Sequence, residues 1–247
     1  MMNGAEVATQ GEKGRRRTVQ ALMRFGSVIG FIVMCVLFSG LSPVFLTVPN
    51  IMDVLRQSSI LGLISFGLTM PMVTGRFDIS LGFQVDVTSV AVAGAMAAGW
   101  PIFGAILLGL AVGGGLGFMK GWLIAYVGMS DFIGTLAVGS ICTGLSFLYT
   151  KGYPITTGIP QSFLKLAEGY LGPVAMPVVI LIVVFALFYI FLYHSKPGRY
   201  LYAIGGNENA AFLSGINTKA HIAAAYVICG VTSSSAAVIL TARLGSG

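Results

Sequence analysis

Charged residues are scarce in this chain, and their scarcity excludes a soluble globular protein. Only 9% of the 247 residues are charged, whereas an average soluble domain carries about 25%. Hydrophobic residues make up 56% of the chain, and they come in repeated runs of roughly 17–25 residues, a length that crosses the hydrocarbon core of a bilayer. The composition therefore predicts an integral membrane protein with several spans.

Residues that commonly carry chemistry are equally few. The three cysteines, Cys35, Cys142 and Cys229, lie in separate apolar runs without metal-ligand spacing, so we interpret them as small buried hydrophobic residues. The sequence has no G-x-x-x-x-G-K-[ST] motif, no zinc signature and no G-x-S-x-G motif. His194 and His221 flank a polar segment and are interpreted as interface residues. We therefore predict no catalytic residue, no metal site and no cofactor.

Seven apolar runs predict seven membrane helices after a polar tail, residues 1–24. The runs cover residues 25–45, 58–74, 83–99, 102–119, 132–150, 173–193 and 221–242. The first run follows basic residues as in a signal peptide, but it is too long and lacks a cleavage-like site, so we predict a retained helix. Residues 46–57 and 151–172 are expected to be surface connections. The sequence thus predicts an all-α transmembrane bundle over residues 25–247.

The basic residues predict an orientation. If the N-terminus is cytoplasmic, the inner side receives Lys13, Arg15, Arg16, Arg17, Arg24, Arg76, Lys120, Lys196, Arg199 and Lys219. The outer side then receives Arg56, Lys151 and Lys165, with Arg243 undecided. This asymmetry follows the positive-inside rule and places the polar segment 194–220 in the cytoplasm. Because the basic residues form no stripe, the net charge of +6 does not indicate nucleic-acid binding.

The polar segment at 198–217 reads GRYLYAIGGNENAAFLSGIN and is the most distinctive stretch of the chain. Asn207 is a favourable N-cap, Glu208 suits the positive end of a helix, and Gly215 suits its termination. A short surface helix with nearby aromatic residues is therefore predicted. Such a helix either fits a groove on a partner protein or lies on lipid headgroups.

Small and polar residues inside the spans leave several interpretations open. Gly109, Gly113, Gly117 and Gly121 recur every four residues, so they form a ridge for close helix packing or for sliding during transport. Thr135 and Thr143, with the neighbouring Ser140 and Ser146, either bond back to helix carbonyls or line a path for a hydroxylated solute.

Two aspartates near the third apolar run, Asp78 and Asp86, are negative charges close to or inside a predicted membrane helix. Asp78 follows Arg76 in a polar turn, where a local ion pair is expected. Asp86 lies inside the apolar run, where a carboxylate is costly unless it faces a partner or water. We consider Asp86 either a residue of the helix start at the interface or a residue of the transport pathway, in which case it could carry a proton.

The order of several motifs resembles the permease subunits of bacterial ribose-type sugar ABC importers. Besides the segment at 198–217, the matching stretches are NIMDVLRQSSILGLISFGLTM at 50–70, GRFDISLG at 75–82 and FIGTL at 132–136. The resemblance extends from about residue 45 to the end of the sequence. It implies uptake of a monosaccharide such as ribose or a related sugar across the bacterial inner membrane.

The resemblance also implies partners and site residues. Such permeases pair as homodimers or heterodimers within the membrane lipid, receive solute from an extracytoplasmic sugar-binding protein, and dock a separate ATPase, which would hydrolyse the ATP. The residues that match the ATPase-coupling pattern are Arg199, Tyr200, Gly205, Gly206, Asn207, Glu208, Ala211 and Gly215. Candidate pathway residues are Asp86, Thr135 and Thr143. The loop at Gly205–Asn207 favours sugar permeases over those for branched-chain amino acids.

The chain departs from the family pattern in two places. The family turn tends to read GGIDLSVGS, so Arg76, Phe77, Gln84 and Asp86 in GRFDISLGFQVDV are unusual and leave the solute open. Family members continue for roughly three more helices beyond the seventh, so part of the bundle is expected to be missing here. The alternatives are a proton- or ion-coupled secondary transporter and a non-transporting remnant.

Overall fold

The computed structural model describes residues 25–247, and this part of the chain is almost entirely helical. The helices are α1 (Phe25–Leu41), α2 (Val48–Val73), α3 (Leu81–Ala97), α4 (Ile102–Ala125), α5 (Asp131–Thr150), α6 (Gln161–Glu168), α7 (Met176–His194), α8 (Lys196–Gly206), α9 (Glu208–Leu213) and α10 (Thr218–Leu244). A two-residue hairpin, β1 (Tyr170–Leu171) and β2 (Val174–Ala175), precedes α7. The all-α class is confirmed.

Each predicted apolar run coincides with one helix. Within the described residues, α2, α4, α5, α7 and α10 are long and apolar enough to cross a membrane, while α1 and α3 are shorter apolar helices. α7 is the most hydrophobic of the five. Its buried residues are Pro177 and Leu192, and the other residues of the helix are partly or fully exposed. Its long apolar surface is therefore suited to lipid or to another membrane chain.

The chain divides after Val54 into two compact units, the second being Leu55–Gly247. In the described part of the first unit, the rings of Phe38 and Phe45 lie 5.8 Å apart. The Asn50 side chain donates a 2.7 Å hydrogen bond to the Phe45 carbonyl. This bond holds the turn that leads into α2.

The centre of the second unit is the packing of α10 against α4 and α3. The buried face of α4 includes Gly109, Gly113, Gly117 and Gly121. A Cβ added to Gly117 would collide with the Tyr226 carbonyl, and one on Gly121 would lie 2.7 Å from the Ala223 Cα. The glycine ridge therefore lets two backbones touch, which confirms the packing interpretation.

Four stretches contain more helix than the sequence predicted. The expected connection 46–57 is mostly the start of α2, because Pro49 lies in its first turn, where a missing N–H costs little. The expected loop 151–172 contains α6, whose Phe163 and Ala167 are buried four residues apart on one face. Residues 196–206 form α8 rather than a loop, and α4 continues beyond residue 119 to Ala125.

Candidate functional site

The first part of the candidate site is the pair of short helices that follows α7. The Ser195 side chain caps α8 by accepting a 3.0 Å hydrogen bond from the Gly198 backbone N–H. The Asn207 side chain caps α9 by accepting a 2.9 Å bond from the Ala210 N–H, and Gly215 turns the chain with a φ of 85°. The predicted short helix after Asn207 is confirmed.

Glycines and small residues set α8 and α9 against the helical bundle. Leu201 and Ile204 bury one face of α8, and a Cβ added to Gly205 would collide with the Val73 carbonyl at the end of α2. Ala211 is buried in a cluster that includes Ile204 and Tyr226. Gly205 and Ala211 therefore have packing roles, which the sequence pattern alone did not separate from a role in coupling.

The outer surface of this helix pair is partly apolar. Phe212 is 64% exposed and Leu213 is 84% exposed. The sequence-predicted coupling residues that are exposed are Arg199, Tyr200, Gly205, Gly206, Asn207 and Gly215. Large apolar side chains beside polar ones on a fixed helix are typical of a protein-docking surface. We call the exposed residues of 199–215 the docking surface.

Arg76 connects α9 to the rest of the second unit. Its guanidinium donates hydrogen bonds to Glu208 at 2.9 Å and to Asp131, the first residue of α5, at 3.3 Å. The Arg76 side chain is 29% exposed. Partial burial alone would lower the pKa of Arg76, but the charges of Asp131 and Glu208 outweigh it and raise the pKa. Arg76 therefore stays cationic and bridges two carboxylates.

The expected local pair of Arg76 and Asp78 is wrong. Asp78 turns inward and pairs with Lys120, whose Nζ lies 2.5 Å from Asp78 Oδ2. Lys120 Nζ also donates to Gln84 Oε1 at 2.7 Å and to Ser80 Oγ at 3.0 Å. Both Lys120 and Asp78 have fully buried side chains. Counting Lys120 among the surface charges of a loop was therefore wrong, because three oxygen acceptors take the place of water around its ammonium group.

This buried cluster joins α3, α4 and α10. Gln84 donates a 2.8 Å hydrogen bond to the Gly230 carbonyl of α10, and the Ser80 N–H and hydroxyl both bond to Asp78 Oδ1. The Tyr226 hydroxyl of α10 donates to the Phe77 carbonyl at 2.9 Å. The connection between α2 and α3, residues 74–80, is thus fixed on one side to the helix core and on the other to α9.

The structure separates the predicted pathway residues. Thr135 is fully buried and donates to the Asp131 carbonyl at 2.7 Å, and Thr143 donates to the Gly139 carbonyl at 3.2 Å. Asp86 is exposed and lines a cavity of about 290 Å³ between α3 and α5, together with Ser146. Neither threonine lines that cavity. The sequence did not distinguish Ser146 from the other hydroxyl residues of α5, because a sequence pattern does not show which serine of a helix faces a cavity.

Known proteins match the chain over most of its length. The family described as "Branched-chain amino acid transport system / permease component" matches residues 50–247. The ribose import permease protein of Bacillus subtilis is 37% identical over 238 residues, which cover 96% of this chain and 74% of that protein. The ribose import permease protein of Escherichia coli K12 is 34% identical over 97% of this chain and 76% of its own length.

A further relative carries a different name. The D-allose transport system permease protein of Escherichia coli K12 is 32% identical over 90% of this chain and 69% of its own length. No solved structure matches the chain significantly. Such permeases are transport components of ABC importers and not enzymes. The helices, the match over residues 50–247 and the identity to these permeases agree, and the chain belongs to this family of multi-pass membrane permease components.

Proposed function

We propose that this permease subunit serves an ATP-driven importer for a monosaccharide such as ribose or a related sugar. The support is the identity to permeases named for ribose and D-allose import over at least nine-tenths of this chain. Membership of the permease family implies a separate ATPase and a solute-binding protein as partners. The sugar itself is inferred from the relatives, whose names state their solutes.

The proposed mechanism rests on one observation: Arg76 links α9, which contributes to the docking surface, to the start of α5. In this proposal the ATPase contacts Arg199, Tyr200, Gly206, Asn207 and Gly215 around the exposed side chains of α9. Gly205 and Ala211 hold the two helices against the bundle. Glu208 transmits the movement of α9 through Arg76 to the start of α5. ATP-driven closure of the partner would then reorient the bundle and switch the access of the path.

The proposal also includes an orientation and an assembly. The docking surface faces the cytoplasm together with the N-terminus, in agreement with the distribution of basic residues. The binding protein delivers solute at the opposite, extracytoplasmic side of the inner membrane. Two permease copies, identical or related, enclose the path, and lipid surrounds helices such as α7.

The energy source provides the test against the secondary-transporter alternative. Source cells that lack this chain should lose uptake of radiolabelled D-ribose and regain it when the chain is restored. In glycolysing cells, uptake should persist with a protonophore and stop when arsenate depletes ATP. Uptake that stops with the protonophore while ATP remains high would favour a proton-coupled carrier, with Asp86 as the residue that carries the proton.

Coupling provides a second test in the assembled complex. Glu208→Ala and Arg199→Ala should lower the amount of solute moved per ATP hydrolysed, because Arg199 lies on the docking surface and Glu208 links α9 to Arg76. Undiminished uptake at normal ATPase activity in both variants would contradict the assigned role of α9.

A further inference from the structure

A cavity between α3 and α5 has polar groups that the helix packing does not use. Its volume is about 290 Å³. Its walls include Asp86 and Val90 of α3, Ser146, Phe147 and Thr150 of α5, and Tyr153 of the following turn. Asp86 and Val90 are one helical turn apart, as are Ser146 and Thr150. The cavity therefore runs along both helices toward the C-terminal end of α5, away from the end that Arg76 ties to α9.

Ser146 is the unusual hydroxyl of α5. Ser140, Thr143 and Thr150 each donate to the carbonyl four residues earlier. The Ser146 side chain, in a residue only 5% exposed, has no hydrogen-bond partner among the described residues although it lines the cavity. A buried polar group without a protein partner is rare and calls for a partner of another kind. Its hydroxyl can both donate to and accept from such a partner.

Asp86 supplies the second group. It forms no hydrogen bond or ion pair with another described residue, unlike Asp78 and Asp131, which are both paired. A carboxylate accepts hydrogen bonds from two neighbouring hydroxyls, and such charge-assisted bonds are among the stronger ones in proteins. Among the described residues, no lysine, arginine or histidine lines the cavity, which disfavours an anionic solute.

A second cavity beside it provides an internal comparison. This cavity, of about 410 Å³, also lies between α3 and α5 and shares Val90. Its walls are mainly apolar and aromatic, with Val87, Trp100 and Tyr149 among them. A carboxylate together with an unpartnered hydroxyl is therefore a feature of the first cavity and not of the α3–α5 surface in general.

We propose that the cavity lined by Asp86 and Ser146 is a contact site for a neutral, hydroxyl-rich solute of monosaccharide size. Asp86 accepts hydrogen bonds from the solute, Ser146 exchanges one with it, and Phe147 and Tyr153 offer apolar ring surface beside them. The volume lies just below the usual range for ligand sites, about 300–1,000 Å³, and suits a small solute. This inference rests on the proposed importer function and adds the residues of this chain that touch the solute.

The test uses conservative variants in source cells with the complete importer. Ser146→Ala and Asp86→Ala should each lower the maximal uptake rate of radiolabelled D-ribose roughly tenfold, the size of effect expected when one good hydrogen bond is lost. Asp86→Asn keeps an acceptor and should lie between Asp86→Ala and the unmodified chain. Ser140→Ala is the matched control, since Ser140 lies on the same helix, bonds to the Leu136 carbonyl and does not line the cavity.

A binding readout separates contact from folding. In membrane vesicles containing the complex, Ser146→Cys should react with a small thiol reagent, and D-ribose should slow that reaction. Sodium ions alone should not slow it. Labelling of Ser140→Cys should be independent of D-ribose.

The outcomes distinguish failure of the inference from failure of the proposed function. If the unmodified chain supports ATP-driven ribose uptake and the Ser146 and Asp86 variants behave like Ser140→Ala, the importer stands and the contact site is overturned. If the unmodified chain supports no such uptake, the importer itself fails. If Asp86→Asn abolishes uptake, Ser146→Ala does not change it and a protonophore stops it, Asp86 is an ion carrier and the solute contact is overturned.

Discussion

The Nζ atom of Lys120 lies 2.5 Å from Oδ2 of Asp78, and the two side chains are completely excluded from solvent. An ion pair at such a place is costly to desolvate, and it persists only when further hydrogen bonds satisfy both charges. Here Ser80 and Gln84 complete the set, and Gln84 extends it to the Gly230 carbonyl of α10. The pair thus fixes the start of α3 within the bundle.

Removing one charge of this pair should destabilise the fold more than removing both charges. We expect Lys120→Met to destabilise the fold by about 3–5 kcal/mol, because Asp78 is left buried without its counter-ion. The double variant Asp78→Asn with Lys120→Met should lose clearly less stability than Lys120→Met alone. Thermal unfolding of the purified protein in detergent measures the difference, with Lys165→Met, an exposed lysine, as control. A double variant as unstable as the single one would contradict the assigned pairing.

The glycine ridge predicts opposite effects for two neighbouring glycines of α4. Gly117→Ala places a Cβ against the Tyr226 carbonyl and 2.9 Å from the Val227 Cα, so we expect a loss of about 1–3 kcal/mol. Gly115→Ala meets nothing within 4 Å and should be neutral or stabilising by up to about 1 kcal/mol. The yield of folded protein and the melting temperature in detergent would be measured for both variants. Equal loss in the two variants would argue against backbone contact at the ridge.

Arg76 should matter more for coupling than for folding. Its ion pairs with Asp131 and Glu208 are partly exposed, and such pairs contribute only about 0–1 kcal/mol to stability. We expect Arg76→Ala to change the melting temperature little and to lower solute moved per ATP severalfold. Arg76→Lys should restore only part of the solute moved per ATP, because an ammonium group lacks the planar fork that spans two carboxylates.

A double-mutant cycle isolates the contact between Arg76 and Glu208. If the two residues act through each other, Arg76→Ala should have little further effect on the uptake-to-ATP ratio once Glu208 is alanine. Fully additive effects would show that the two residues act independently.

The exposed end of α9 should bind the ATPase through an apolar side chain. Leu213→Glu should release the ATPase subunit from the permease during copurification, since a charge would be buried at the interface. Asn209→Glu adds the same charge at an exposed position of the same helix and should leave more ATPase bound. Neither change should alter the melting temperature of the permease alone. Retention of the ATPase by Leu213→Glu would place the contact elsewhere.

Local sequence signals predicted the membrane helices and the cap of α9 because both depend on neighbouring residues. An apolar run of membrane-spanning length fixes a helix whatever its partners. The Asn207 side chain needs only the N–H group three residues on. The glycine ridge was likewise visible, because a spacing of four places its members on one face.

The charge network could not be predicted because its partners are distant in sequence. Arg76 pairs with residues 55 and 132 positions away, and Lys120 pairs 42 positions away. A hydropathy reading ends α4 at the lysine, whereas the structure continues it to Ala125 because the charge is neutralised inside the bundle. Ser146 gave no signal either, since a cavity depends on the shape of two helices together.

The contact between α4 and α10 also restricts how the bundle can move. A shift of α4 along α10 by one, two or three residues would bring a large side chain, such as that of Leu116, Met119 or Phe118 respectively, to a place where only a hydrogen atom now fits. The next register with glycine against the α10 backbone requires a step of four residues, about 6 Å along the axis. Gradual sliding is thereby forbidden. We therefore expect α4 and α10 to move together, as one unit, when a partner displaces α9.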